Sequence, residues 1–430
     1  MLRTSKHYQE RVWRILTKKM KDSGIEWVGE IPEDWLLVKY KRFAKSGMGV
    51  TLLKSDLLDR ETADSIPVYS ATQGNEFFGY TENKKLLLEC GDLVIPARGN
   101  SIGHIKVVDK TATSTQTTIY SKVFSNEINI MFLKYCSDGL KDNWFKFDDT
   151  AIPQITVNQV NNNPVPYPSL KEQEKIVKIL NKITQKVDNI LKQTQQSIKE
   201  LKNYKQSLIT ESVTKGLDPN VEMKDSSIEW IDNIPIHWDI RSIGNHYLQV
   251  KNKNLLSQEE NLLSLSYGKI VKRNYHSADG LLPANFNNYI IVEPNDIVLR
   301  MTDLQNDHKS LRTGFVNESG IITSAYITLR PKKNQEFISK FVQLFLHSFD
   351  IYKGFYGMGS GVRQNVTFND IKKLKIILPP IIEQKQIIRY LENKVSTIDN
   401  LIENKIKVIE ELENYKKSLI YEYVTGKKEV

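Results

Sequence analysis

The sequence has few of the residues that build metal sites and disulfide frameworks. Its 430 residues include two cysteines, Cys90 and Cys136, and seven histidines. The cysteines are far apart, and neither a His-Glu-x-x-His nor a Cys-His spacing is present, which argues against a zinc site. We therefore expect no metal ligands in this chain and a reducing cytoplasm as its location.

Long apolar runs are also missing. No stretch approaches the ~18 uninterrupted apolar residues that a membrane helix needs. The first residues do not resemble a secretory signal, because Arg11, Arg14 and Lys18 interrupt the apolar positions. We expect a protein without a membrane partner.

Recognisable catalytic motifs are absent as well. "GMGSG" at 357–361 lacks the third glycine of a dinucleotide site and the Lys-Ser/Thr of a phosphate-binding loop. "NNNPVPYP" at 161–168 resembles the Asn-Pro-Pro-aromatic motif of adenine methyltransferases, but Val165 interrupts it, so we predict a turn before a helix. No catalytic residue is predicted.

The charge points to a different kind of function. Sixty Lys and Arg residues outnumber 51 Asp and Glu residues and give a net charge of +9. This balance fits a polyanionic partner such as nucleic acid, and it equally fits a solvated, lysine-rich surface.

An internal repeat organises the chain. "MKDSGIEWVGEIPEDW" at 20–35 matches "MKDSSIEWIDNIPIHW" at 223–238 at ten of sixteen positions. A second repeat pairs a segment from Pro168 with one from Pro379 at a constant offset of 211 residues. Between these repeats lie two stretches that share little beyond "GDLVI" at 91–95 and "NDIVL" at 295–299. We infer one duplicated frame with two divergent inserts.

Both copies of the second repeat predict a long helix. Apolar residues recur every three or four positions over about residues 171–214, and the second copy follows the same pattern. Two apolar stripes of equal length are most simply buried against each other as a coiled-coil pair about 66 Å long. Because the first helix leads to the second domain and the second helix leads back, the pair should be antiparallel.

The divergent stretches predict globular α+β domains. Short β-rich runs such as "IPVYS" and "IITSAYITLRP" alternate with Gly, Asn and Asp turns, and the helical segment "FISKFVQLFLHSF" interrupts them. We predict an α+β protein: two globular α/β domains separated by two long antiparallel helices in a pseudo-twofold cyclic repeat. The predicted boundaries are a 1–19 extension, domain 1 at 20–167, helix one at 168–216, domain 2 at 217–378 and helix two at 379–430.

Polar and basic loops of the two domains are the candidates for binding nucleic acid. Arg, Asn and Gln can match base edges in the major groove, and Lys and Arg can neutralise phosphates. The candidates in domain 1 are Ser70, Thr72, Gln73, Asn75, Arg98, Asn100, Ser101, His104 and Lys106. The candidates in domain 2 are Tyr267, Lys269, Lys272, Arg273, Arg300, Thr302, Asp303, Lys309, Arg312, Arg363, Gln364 and Asn365.

This pattern resembles the specificity subunit of type I restriction–modification systems. The resemblance rests on the duplicated "IEWVGEIPEDW"/"IEWIDNIPIHW" phrase and on the duplicated "P-x-x-x-E-Q-x-x-I" start of a long helix that ends in "NYK-x-SLI". It covers essentially the whole chain. The segment 1–19 has no clear counterpart within the internal repeat.

The resemblance implies a division of labour. Each divergent domain is then a target recognition domain for one half of a split double-stranded DNA site, and the helices set the gap and dock two methyltransferase subunits. It further implies adenine methylation with S-adenosylmethionine by those partners. Two motor-nuclease subunits would cleave DNA with ATP and Mg²⁺, and this chain would bind no cofactor itself.

Two other classes of function remain as alternatives at this point. A coiled-coil adaptor that binds only proteins would show no sequence-selective retention of DNA. A free-standing nuclease or methyltransferase would act on DNA without partners.

Overall fold

The computed structural model describes residues 19–72, 74, 76–99, 101–144, 154–273, 285–332, 337–358 and 366–430. The chain forms two compact units: unit 1 combines Met1–Thr194 with Ile406–Val430, and unit 2 is Gln195–Lys405. Each unit holds one globular domain with half of each long helix, whereas the boundaries predicted from the sequence set the helices apart. Nearly all of the predicted 1–19 extension lies outside the described residues.

Unit 1 contains eleven described strands and two short helices, followed by the first half of a long one. The strands are β1 (Met20–Asp22), β2 (Glu30–Pro32), β3 (Leu36–Lys39), β4 (Ala44–Met48), β5 (Ile66–Tyr69), β6 (Gly79–Thr81), β7 (Leu93–Pro96), β8 (Lys106–Val107), β9 (Thr113–Ser114), β10 (Thr118–Val123) and β11 (Pro164–Tyr167). The helices are α1 (Ile130–Trp144), α2 (Val157–Asn162) and α3 (Leu170–Lys215), with 3₁₀ turns at Tyr40–Arg42 and Lys54–Asp56.

Unit 2 contains twelve described strands. They are β12 (Met223–Ile228), β13 (Ile231–Pro235), β14 (Asp239–Ser242), β15 (Tyr247–Gln249), β16 (Leu263–Ser266), β17 (Lys269–Lys272), β18 (Ile290–Val292), β19 (Ile297–Leu299), β20 (Thr313–Phe315), β21 (Gly320–Ile322), β22 (Ile327–Pro331) and β23 (Lys375–Leu378). The helices that begin in this unit are α4 (Ile243–His246), α5 (Ser339–Ile351), α6 (Phe368–Ile371) and α7 (Ile381–Val424), with a 3₁₀ turn at Gly354–Gly357. Helix α7 continues into unit 1 after Lys405.

The two units share a frame even where their sequences differ. Each has an antiparallel hairpin, β1–β2 or β12–β13, and a two-stranded pair, β3–β11 or β14–β23. The main sheets have the orders β4-β10-β7-β8 and β15-β22-β19-β20. In both sheets the strand that comes first in the chain lies at one edge and pairs with the strand that comes last, and the two middle strands follow. The remaining strands differ: unit 1 adds β6-β5-β9, and unit 2 adds the pairs β16–β17 and β18–β21. Common strands therefore carry different loops.

The predicted equivalence of "GDLVI" and "NDIVL" is confirmed. Gly91 has φ +95° and Asn295 has φ +75°, so both turns use the left-handed region that suits Gly and Asn. The Gly91 N–H donates to Val108 O at 2.9 Å, and the Asn295 N–H donates to Val316 O at 3.0 Å. The same turn leads into the same strand of each sheet.

The prediction of a turn at "NNNPVPYP" was wrong. Pro164–Tyr167 forms strand β11 and pairs antiparallel with Leu36–Lys39. Two prolines are tolerated because, among the described strands, β11 pairs only with β3, so its other edge needs no N–H for a strand partner.

The repeated phrase forms a joint with the start of each long helix. Trp35 is 1 % exposed and Trp238 is 0 % exposed. The Trp35 Nε1–H donates to Glu172 Oε2 at 3.2 Å, and the Trp238 Nε1–H donates to Glu383 Oε2 at 3.0 Å. The tryptophans therefore act by packing and by holding the first turn of the helix.

The glutamine after each of these glutamates is fully buried and links two helix starts. Gln173 accepts from the Asn129 N–H at 2.8 Å and donates to Pro168 O at 3.0 Å. Gln384 repeats this arrangement with the Ile338 N–H and Pro379 O, both at 2.8 Å. The repeated Glu-Gln pair thus fixes each long helix to the domain beside it.

The glycine that ends each long helix closes the cyclic pattern. Gly216 has φ +79°, and a methyl group added there would lie 3.2 Å from Trp238 Cζ2. Gly426 has φ +70°, and the same addition would lie 3.1 Å from Trp35 Cζ2 and 2.5 Å from Pro32. Helix α3 therefore ends against the repeated phrase of domain 2, and α7 ends against that of domain 1. The predicted cyclic repeat is confirmed.

The two long helices are paired in each unit by an equivalent ion pair. Lys416 Nζ lies 2.6 Å from Asp188 Oδ1 in unit 1, and Lys205 Nζ lies 2.6 Å from Asp399 Oδ1 in unit 2. Each pair joins one residue of α3 to one of α7. The lower residue number on α3 goes with the higher number on α7, as an antiparallel pair requires.

Within the described helices, none is long and apolar enough to span a membrane.

Replacing Trp238 by Phe should destabilise unit 2 by about 1–3 kcal/mol, because the change removes a hydrogen bond to a carboxylate and leaves part of a fully buried indole site empty. The comparison variant is Trp230→Phe, since Trp230 is half-buried and its Nε1–H has no hydrogen-bond partner among the described residues. Urea unfolding of both variants checks this. A loss for Trp230→Phe as large as that for Trp238→Phe would contradict the assigned bond.

Candidate nucleic-acid interface

The first candidate loop of domain 1 is held by a buried lysine. Lys106 is 2 % exposed, and its Nζ donates to Ser70 O and to Thr72 Oγ1, each at 3.0 Å. Burial lowers the pKa of Lys106. The buried Ser70 hydroxyl lies 3.1 Å from Thr115 Oγ1. Lys106 and Ser70 therefore support the loop from inside, and the half-buried Thr72 lies at its surface.

The second candidate loop of domain 1 places its polar residues in different surroundings. Arg98 is exposed, and Ser101 is buried. His104 Nδ1 lies 3.8 Å from Asp138 Oδ1, and Lys134 Nζ lies 2.6 Å from the other oxygen of that carboxylate. Gln73, Asn75 and Asn100 lie outside the described residues.

A groove of about 890 Å³ opens beside these loops within unit 1. Thr72, His104 and Lys106 line its domain side, and the lysines at 416 and 417 line its helix side. The helix residues were not among the candidates, because their spacing indicates only a solvated helix face. Three acids, Asp138, Asp188 and Glu413, line the same groove. Lys134 and Lys416 are paired with Asp138 and Asp188, so the charges of the lining largely balance.

The main candidate loop of domain 2 surrounds a buried arginine. Arg312 is 0 % exposed, although arginine is ordinarily a surface residue. Its Nη1 donates to Arg300 O at 3.1 Å and to Thr302 O at 3.0 Å. Its Nη2 donates to Asp303 O at 3.4 Å and to Asp307 O. Arg312 is thus directed into the loop and not toward solvent.

The rest of this loop is ordered by its own side chains. Asp307 accepts the N–H groups of Lys309 and Ser310 at 3.1 and 2.9 Å, and its carboxylate lies 3.4 Å from Arg300 Nη2. The Ser310 hydroxyl, followed by these backbone N–H groups and the Arg300 charge, lowers the pKa of Asp307 to about 2. Asp303 has φ +57°, which is uncommon for a residue other than glycine.

A buried carboxyl beneath the loop makes stability depend on pH. Asp350 Oδ2 accepts the Arg312 N–H at 2.6 Å, and burial raises the pKa of Asp350 to about 6. The folded protein therefore binds a proton at Asp350 more tightly than the unfolded chain does. The stability that this protonation contributes is fully present below about pH 4 and is lost as pH rises through 6.

Asp350→Asn should therefore stabilise unit 2 at pH 8 by on the order of 1–3 kcal/mol, since the amide oxygen can still accept the Arg312 N–H. The difference from the natural chain should shrink toward zero at pH 4. Unfolding curves at the two pH values check this. A gain that is equal at both would contradict the pKa assigned to Asp350.

A tight hairpin beside this loop presents an exposed aromatic residue. Strands β16 and β17 are joined by Tyr267 and Gly268, with φ +46° and +76°. Tyr267 is 90 % exposed, and Lys269 beside it is exposed as well. A methyl group added to Gly268 would lie 3.2 Å from Leu311 Cδ1, so the hairpin packs against the end of the loop.

The other candidates of domain 2 are divided between the surface and undescribed positions. Lys272 and Arg273 are exposed, and Lys272 Nζ lies 2.8 Å from Glu318 Oε2. Arg363, Gln364 and Asn365 lie outside the described residues.

Among the residues that are described, no three His, Cys, Asp or Glu side chains could together hold a metal ion.

The exposed part of the domain 2 loop includes residues that were not predicted from the sequence. Gln305, Asn306 and His308 are exposed, as is the predicted Lys309. The sequence "LQNDHKS" indicates a polar loop, but its pattern does not tell which side chains face outward. The structure shows that Arg312 points inward and that Gln305, Asn306, His308 and Lys309 point outward.

A family model and two curated proteins that resemble this chain all belong to type I restriction systems. The sequence model of a family described as "Type I restriction modification DNA specificity domain" matches residues 32–200 and again 235–411. Two proteins of Methanocaldococcus jannaschii, named as the MjaX (putative) and MjaVIII specificity subunits of type I restriction enzymes, are 27 % and 24 % identical to the chain. The alignments cover 94 % and 93 % of this chain and 96 % and 94 % of those proteins.

A solved structure also shares the fold. It comes from work described as "Structural basis underlying complex assembly and conformational transition of the type I R-M system". The TM-score is 0.67 at 15 % sequence identity, covering 92 % of this chain and 98 % of that chain.

Proposed function

This chain belongs to the type I restriction–modification DNA specificity family, and we propose that it is the subunit that reads the DNA sequence for such a complex. Each globular domain would recognise one half of a bipartite site. The single observation that carries this proposal is the duplicated frame: two sheets of the same strand order carry two different sets of polar loops. A shared frame with unlike loops suits two readers of unlike sequences.

The loops would divide the work of recognition. Exposed lysine and arginine side chains would contact phosphates and set the position, and amide and guanidinium groups would contact base edges and specify the sequence. The buried members of the predicted set, Ser70, Ser101, Lys106 and Arg312, would support these loops. The exposed members remain candidates for direct contact.

The two long helices would set the gap between the half-sites and dock the partners. These partners would be two methyltransferase subunits and two motor-nuclease subunits in a cytoplasmic complex. Catalysis and the binding of S-adenosylmethionine, ATP and Mg²⁺ would belong to those subunits, and no residue of this chain is assigned to hold them. The duplicated joints support twofold docking, because they offer each partner copy an equivalent helix start.

Selection from a random DNA pool tests the proposal. The chain, assembled with its methyltransferase subunits, should retain duplexes that share two short sequences at a fixed separation. An adaptor that binds only proteins would retain no preferred sequence. Transfer of labelled methyl groups to DNA by the chain alone would instead indicate a free-standing enzyme.

A further inference from the structure

Because Arg312 is buried, it supports the main loop of domain 2 from inside, and contact with DNA is left to the exposed residues of that loop. All five N–H donors of its guanidinium are directed at loop carbonyls and at Tyr356, whose hydroxyl accepts from Arg312 Nε at 3.0 Å. A buried arginine whose donors are all occupied can hold a loop rigidly, but it has none left for a base or a phosphate.

Tyr356 extends this arrangement to the outer part of the loop. Its hydroxyl donates to Asp307 O at 3.0 Å, and its ring stacks on His308 with centroids 5.0 Å apart. Lys353 Nζ donates to His308 O at 2.6 Å. Hydrogen bonds from Arg312, Tyr356 and Lys353 therefore hold backbone carbonyls of residues 303–308 in place.

The segment Gln305–Lys309, called here the loop tip, projects from this anchor. Gln305, Asn306 and Lys309 are exposed, and the Asn306 amide nitrogen donates to Asp303 Oδ1 at 2.8 Å. Side-chain amides can pair with the major-groove edge of adenine, and lysine can contact guanine or phosphate. The adjacent hairpin, whose Gly268 packs against Leu311, carries the exposed Tyr267.

We propose that Arg312 is a positioning residue for DNA specificity, which holds the loop tip in the conformation that reads the half-site of domain 2. The proposal rests on the proposed function and deepens it, because it assigns base reading to Gln305 and Asn306. A preformed loop avoids the entropic cost of ordering on binding, so its anchor influences specificity without touching DNA.

Base preference at each half-site is the measurement that tests this. The full chain is assembled with its methyltransferase subunits and supplied with DNA whose half-sites are randomised, and the methylated molecules are sequenced. Gln305→Ala with Asn306→Ala should relax discrimination at one or more base pairs of one half-site by roughly tenfold or more. The other half-site should keep its preference.

Arg312→Lys should relax the same half-site, because lysine keeps the charge but has three donors in place of five. Tyr356→Phe is a milder variant that removes only the hydroxyl, and Tyr352→Phe is its matched control at a neighbouring exposed tyrosine. Lys106→Met supplies the control in domain 1 and should affect only the opposite half-site.

The proposal is overturned if folded Arg312→Lys and Tyr356→Phe variants keep the natural preference at both half-sites. It is equally overturned if they weaken methylation of all sequences uniformly, as the loss of a phosphate contact would. Failure of the proposed function looks different, since the natural chain itself would then show no preferred sequence.

Discussion

Exchanging residues 40–163 for the corresponding segment of another family member is expected to replace one half of the methylated sequence completely. The other half and the gap should stay unchanged. The structure supplies the boundaries: the Tyr40 N–H donates to Asn163 O at 2.9 Å, which closes the exchanged segment. Strands β3 and β11 and the joint of Trp35 with Glu172 remain native on either side.

Sequencing of methylated adenines in cells that express the hybrid chain with its methyltransferase would measure this. The matched exchange takes residues 243–374 of domain 2, where the Ile243 N–H donates to Leu374 O at 2.9 Å. It should alter the half that the first exchange leaves intact. A hybrid that folds and methylates the original sequence, or one that alters both halves, would refute the assignment of one reader to each domain.

Insertion of seven residues into each long helix is expected to lengthen the gap without changing either half-site. Seven residues advance a helix by about 10.5 Å and return its apolar stripe to nearly the same face. Placed after Thr194 and after Lys405, the insertions leave the pairs Asp188–Lys416 and Lys205–Asp399 in register. The gap should grow by up to about three base pairs, at roughly 3.4 Å per base pair.

A five-residue insertion at the same two places is the control. It rotates each apolar stripe by about 140°, so the helices should lose their pairing and the complex its activity. The spacer role would be untenable if the seven-residue variant methylated the original gap, or if it changed the bases of a half-site.

The repeated elements could be predicted from the sequence because their signals are local. Apolar positions at helical spacing indicated a helix over about 171–214, and the structure has Leu170–Lys215. The antiparallel pairing and the cyclic closure followed from connectivity alone. The contacts that make the joint, from Trp238 to Glu383 for example, join residues 145 positions apart and leave no periodic pattern.

The divergent domains were predicted less fully for a physical reason. Their common strands are only two to six residues long, so the shared sheet order depends on pairing between distant segments and not on local composition. Strand β11 was missed because two prolines usually mark a turn. Arg312 was selected as a contact residue because arginine in a polar loop is usually exposed, and only the tertiary contacts show that it lies inside.

The most direct measurement of the specificity role is the pattern of methylated adenines in a genome exposed to this chain with its methyltransferase. Two unlike domains joined by helices of fixed length should produce one asymmetric motif, made of two unlike short sequences separated by a gap of fixed length and no base preference. A continuous motif, two identical halves, or methylation without a sequence preference would contradict it.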